Sequence, residues 1–239
     1  AFLLLISGFA TAQIRNQPAA VKKHSEKNTA LNLLDQAIKF EREGKYAKAV
    51  EGYRSALRLK PNDAVIYNNL GATYAKQLRY TEALDALKKA VVINPNLAAT
   101  HHNLSVVYDH LNRPKEALDA ARRALKIDPE HTKTFRLSCE LEMVLEQNER
   151  ALNCYESLRK LTSLDGKSQV YYGLALLRAK KINQAIRTLE EAVRVLPRDA
   201  IAYNFLGNAL YKKKRYKDAV AVFKRALEIN PENVEIRYN

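Results

Sequence analysis

The chain has no tryptophan, one methionine, two cysteines and, among 239 residues, seven glycines and seven prolines. So little glycine goes with the absence of any Gly-rich phosphate loop, and there is no H-E-x-x-H, no C-x-x-C and no nucleophile elbow. Nucleotide hydrolysis, zinc peptidase chemistry and serine hydrolysis therefore lack their sequence carriers, and no catalytic residue and no cofactor is expected. β-Branched runs are also scarce, while 47% of residues are apolar. That balance suits an all-α protein. Acidic residues are the last shortage: 26 Asp and Glu against 40 Lys and Arg leave a net charge of +14, which draws the chain toward something anionic.

What is present is a period. Small residues recur every 34 positions as Ala49, Ala83, Ala117, Ala151, Ala185 and Ala219, and seven positions later as Ala56, Ala90, Ala124, Leu158, Ala192 and Ala226. Pro61, Pro95, Pro129, Pro197 and Pro231 close five units, with Ser163 at the fourth unit's closing position. Six units follow without insertion, 30–63, 64–97, 98–131, 132–165, 166–199 and 200–233. Each holds two amphipathic helices: in the second, Tyr67, Leu70 and Tyr74 stripe one helix and Leu84, Leu87 and Val91 the next. Two antiparallel helices approach closely only over small side chains, so Gly71, at place 8 of its unit, is expected to face Ala83 at place 20. The closing proline lacks an N–H and disfavours helix in the residue before it, which ends the second helix.

Tyr67, Leu70, Gly71, Tyr74, Tyr80, Ala83, Ala90 and Pro95 in the second unit, and Tyr203, Leu206, Gly207, Tyr216, Ala219, Phe223, Ala226 and Pro231 in the sixth, resemble the tetratricopeptide repeat family. The resemblance implies a right-handed α-solenoid of antiparallel helix pairs whose first helices line a concave groove. The fourth unit departs most, with Cys139, Glu142 and Leu158 at the places of glycine, aromatic and alanine, and less regular packing is expected there. A solenoid has no central core, so each unit buries surface only against its neighbours.

The ends differ from the repeats. AFLLLISGFATA, residues 1–12, reads as the apolar core and small-x-small cleavage region of a signal peptide, which implies export to a periplasm or the exterior. The alternative is the tail of a membrane anchor, since ten apolar residues do not span a bilayer by themselves. Residues 13–29 are nearly devoid of apolar side chains, carry four cations against one glutamate, and read as a disordered basic linker. Residues 234–239 open the first helix of a truncated seventh unit.

Cys139 and Cys154 both fall in the fourth unit. A bridge is chemically open to an exported chain, but place 23 is read as flanking the helix contact, so two buried free thiols are expected. His101 stands where other units carry Tyr67, Phe135 or Tyr203 and reads as a packing residue. His102 and His110 lie eight residues apart on one helix, about 12 Å, too far to share a metal, and no metal site is expected.

By resemblance, places 2, 5, 6, 9, 12 and 13 of each first helix face the groove. These supply Asn69, His102, Asn103 and Arg136 in the earlier units, then Val170, Tyr171, Leu174, Asn204, Phe205, Asn208 and Tyr211. Asn69 and Asn103 form a ladder whose amides either pair with a peptide backbone or only solvate the inner surface. The later residues form an apolar cluster rimmed by Asn, Arg and Lys, the make-up of a protein-binding surface. The inter-helix turns carry Arg178, Lys180 and Lys181, then Lys212, Lys213, Lys214 and Arg215. This basic edge suits acidic protein, lipid headgroups or polysaccharide. Without interleaved aromatics it is a poor match for nucleic acid, and a purely solvated face is the alternative. The carboxylate clamp of some family members calls for five residues, and Asn68, Ala72, Asn103, Lys133 and Leu137 supply two. Two readings follow: a non-catalytic scaffold binding a peptide or partner segment in the groove, or the recognition array of a larger enzyme such as a glycosyltransferase.

Overall fold

In the computed structural model residues 19–232 are described, with side chains from residue 29 onward, and every element is an α-helix. The helices are α1 (Ala19–Arg42), α2 (Tyr46–Leu59), α3 (Ala64–Lys76), α4 (Tyr80–Ile93), α5 (Ala98–His110), α6 (Pro114–Ile127), α7 (Thr132–Val144), α8 (Asn148–Leu161), α9 (Gly166–Arg178), α10 (Ile182–Val195), α11 (Ala200–Lys212) and α12 (Tyr216–Ile229). From α3 onward each first helix has 13 residues and each second helix 14. The fourth repeat keeps these bounds despite its divergent sequence. The described residues form two compact units that divide between Leu111 and Asn112, within the third repeat.

Helix α1 begins at Ala19, inside the stretch whose composition suggests a disordered linker. From Ala19 to Ala30 there is no glycine or proline, and Ala, Lys and Glu are strong helix formers. Low hydrophobicity there removed a reason to pack, not the capacity to be helical. The proposed leader, residues 13–18 and the start of a seventh repeat lie outside the described residues.

The turn inside each repeat is set by hydrogen bonding. Leu78 N–H bonds Ala75 O at 2.9 Å and Arg79 N–H bonds Tyr74 O at 3.0 Å, and Lys180 and Lys181 repeat this with Leu177 and Leu176. This crossed pair is a Schellman motif, and it needs a left-handed residue at place 15. Gly44, Leu78, Asn112, Glu146, Lys180 and Lys214 hold that place with φ between 56° and 72°. Only Gly44 adopts the conformation without a Cβ penalty. Leu78 is 72% exposed, so Leu78→Gly gives up little burial and is expected to stabilise the first unit by about 1 kcal/mol. Urea denaturation checks this; an unchanged or lower midpoint contradicts it.

Place 34 caps the following helix. The carboxylates of Asp63 and Asp199 each accept from two backbone N–H groups at 2.9–3.2 Å, and Asp165 accepts from Ser168 N–H at 2.8 Å. At the same place Leu97 offers no side-chain cap. Burial opposes ionisation of Asp165, but the Ser168 N–H hydrogen bond and the Arg136 guanidinium, 2.9 Å away, outweigh it and hold the carboxyl below its usual range. A depressed carboxyl stabilises the fold fully above the unfolded value, about pH 4, and this contribution is lost as pH falls through the lower folded value. Urea midpoints at pH 5 and pH 3 should therefore differ less in Asp165→Asn than in the wild type.

The small residues work somewhat differently from their expected pairing. A Cβ on Gly71 would lie 2.6 Å from Leu87 Cγ, one on Gly173 2.5 Å from Leu189 Cγ, and one on Gly207 2.5 Å from Phe223 Cε1. Place 8 thus receives the large side chain of place 24, and the backbone at Ala83, 3.1 Å away, comes next for Gly71. In the first repeat the arrangement changes: Tyr53 holds place 24, and place 23 is Gly52, whose Cβ would meet Ala37 Cβ at 2.8 Å.

Places 8 and 23 therefore face each other, and in the fourth repeat they are Cys139 and Cys154. These are joined in a disulfide with Cα atoms 5.4 Å apart, within the bridging range. The expectation of two free thiols is corrected. Its error was to treat place 23 as flanking the contact, and the Ala37–Gly52 pair was the sequence signal that placed it opposite.

Candidate functional site

The first helices touch one another within each unit, α3 with α5 in the first and α7 with α9 and α9 with α11 in the second. From α3 onward they form a face on which places 2 and 13 are exposed and places 6 and 9 half-buried. Place 5 is different. Val170 and Asn204 are each only 4% exposed, Val170 packing with Ala192 and Ala202. Arg136 is tied to Asp165, and His102 is half-buried. Val170 and Asn204 were expected on the groove surface; this place points instead toward the next repeat and belongs to the packing between repeats.

In the second unit the face carries an apolar cluster. Tyr171, Leu174 and Phe205 are half-buried beside Asn208, whereas Ile201 and Tyr211 are 55% and 56% exposed. The Lys167 ammonium lies 5.6 Å from the Tyr171 ring centre and pairs with Glu140 at 2.8 Å, fixing the ring from above. Tyr211 meets Tyr216 edge-on at 5.4 Å. Ile201 stands at place 2 of the sixth repeat, one of the places read as facing the groove.

In the first unit the asparagines bond to each other. Asn103 Nδ2 donates to Asn68 Oδ1 at 2.9 Å, and Asn68 Nδ2 donates to Asn69 Oδ1 at 3.2 Å. The ladder thus spends part of its hydrogen-bonding capacity on joining two repeats. His110 is stacked on Tyr80 at 4.8 Å, and buried His101 contacts Pro95 O at 2.7 Å through Nε2, which must donate to a carbonyl. Among the described residues no group of three His, Cys, Asp or Glu is placed to hold a metal.

The basic edge is partly neutralised. Arg178 donates to Asn148 at 2.8 Å, Lys181 pairs with Glu156 at 3.0 Å and Arg215 with Asp218 at 2.6 Å. The side chains of Lys180, Lys212, Lys213 and Lys214 are exposed and make no ion pair among the described residues.

Three family models match, described as tetratricopeptide repeat over 173–234, tetratricopeptide repeat over 62–130 and TPR repeat over 42–77. The Superkiller protein 3 of Schizosaccharomyces pombe is 31% identical over 106 residues, 44% of this chain and 8% of that protein. The peroxisomal targeting signal receptor of Saccharomyces cerevisiae is 33% identical over 79 residues, 33% of this chain and 13% of that protein. The chain thus matches a small part of the length of these curated relatives. Among solved structures, YrrB, described as a TPR protein with an unusual peptide-binding site, superposes with a TM-score of 0.72 at 21% identity, covering 79% of this chain and 97% of that one. Pseudomonas aeruginosa pilF gives 0.74 at 14% identity, covering 90% and 97%. At these identities the likeness is one of fold. Helix pairs of constant length, turns in one conformation and family matches across both units agree that the chain belongs to the tetratricopeptide repeat family.

Proposed function

We propose that the chain is a non-catalytic scaffold whose second unit binds an extended segment of a protein partner on the face of α9 and α11. The observation that carries this reading is apolar surface left open to water: Ile201 and Tyr211 more than half exposed, beside Tyr171, Leu174 and Phe205. Aromatic side chains are the common anchors of protein interfaces. Lys212, Lys213 and Lys214 follow Tyr211 in the chain, are exposed and form no ion pair among the described residues, so the segment combines apolar anchors with acidic neighbours. The names of two similar proteins, a targeting signal receptor and a protein with a peptide-binding site, speak of recognition of this kind. The test is selection of random peptides on the purified chain. A consensus with apolar and acidic positions, lost on Tyr171→Ala with Phe205→Ala, supports the reading; peptides retained by that variant refute it.

The scaffold works outside the cytosol, with residues 1–12 as a cleaved leader. Support comes from the leader composition and from the Cys139–Cys154 bond, which suits an oxidising compartment. Mass analysis of the exported protein should give a chain starting at Gln13, and a retained leader opposes this.

A further inference from the structure

A polar cleft of about 460 Å³ lies between the fourth and fifth repeats, lined from α8, α9, α10 and the link 162–164. It lies at the junction where Ser163 replaces the repeat's closing proline. The residue after each of the other second helices has φ between −118° and −139° and ψ between 67° and 98°. Thr162, which precedes Ser163 and not a proline, has φ −156° and ψ 162°. This fully extended step carries Thr162, Ser163 and Leu164 along one wall of the cleft.

Two arginines enter it. Arg159 Nη1 donates to Tyr172 OH at 3.0 Å, and its guanidinium sits 5.4 Å from that ring centre, so the fork is held in place before any ligand arrives. Arg187 lines the opposite helix, and neither arginine forms an ion pair among the described residues, although Glu191 is on the same wall. Gln169 and Gln184 add polar side chains to the lining. The equivalent cleft of the first unit, between the first two repeats, puts Asp85 and Glu82 where Arg187 and Gln184 stand, so its cations are balanced by carboxylates.

We propose that the cleft between α8, α9 and α10 binds a small oxyanion, its phosphate or carboxylate held by Arg159 and Arg187. The site is separate from the first-helix face, since none of its lining residues belongs to that face. It does not depend on the peptide reading.

The full chain, titrated calorimetrically with inorganic phosphate, glycerol 3-phosphate and glycerate, tests this. Saturable binding of glycerol 3-phosphate or glycerate below about 10 mM is expected, and whichever binds identifies the oxyanion. Arg187→Gln should weaken it about tenfold, and Lys213→Gln with Lys214→Gln should leave it unchanged. Absence of saturation with all three compounds, or binding that survives Arg187→Gln or is lost with the lysines, overturns the proposal. Far-UV circular dichroism of each variant separates lost binding from lost fold.

Discussion

Replacing Cys139 and Cys154 together by alanine is expected to lower the unfolding free energy of the second unit by about 3 kcal/mol. The bond closes a loop across 15 positions, and opening it returns conformational freedom to the unfolded chain. Alanine isolates that effect, because other repeats already place alanine at the same positions: Ala37 at place 8, Ala86 and Ala120 at place 23. All three are buried, so the substitution reproduces a packing the fold uses elsewhere. The measurement is urea denaturation, oxidised and reduced. The wild type under reductant should move toward the alanine variant, which itself should not respond. Coincident curves for the oxidised wild type and the variant contradict a stabilising bond.

Tyr171→Ala with Phe205→Ala is expected to weaken capture of a selected peptide by about 100-fold. Both rings occupy place 6 of their repeats and are half-buried, so each keeps a surface for a partner and each is positioned by the fold. Truncation removes the anchor and leaves the partner's apolar group facing water. Asn69→Ala, on the other unit, should leave affinity where it was. A comparable loss from Asn69→Ala, or none from the aromatic pair, would move the contact surface elsewhere. Thermal denaturation alongside the binding assay guards against a trivial loss through unfolding.

The fold was legible because the strongest sequence signal and the tightest packing coincide. The alanines at place 20 are at most 2% exposed in all six repeats, and those at place 27, with Leu158, at most 1%. Position along the period therefore located every helix from α3 onward. The binding face was legible in outline only. Helix α11 buries Ala200, Ala202, Asn204, Leu206, Gly207, Ala209 and Leu210, because a first helix packs against its own partner and against neighbouring repeats. With more than one side covered, a stripe no longer separates inside from outside, and place 5 was assigned to the wrong one. Part of the pairing along the basic edge was hidden for another reason. Arg178 and Lys181 find Asn148 and Glu156 at separations of 30 and 25 residues, a relation that only stacked helices create.

The left-handed residue at place 15 has a consequence for how such a surface changes over time. Leucine, asparagine, glutamate and lysine all stand there with nearly the same φ, so the hairpin does not dictate what projects from its tip. Each tip is a pedestal of fixed geometry, on which charge is exchanged without redrawing the hairpin beneath. Lys180 and Lys214 are two settings of that pedestal and Glu146 is a third, and the electrostatic character of the edge drifts independently of the architecture that carries it.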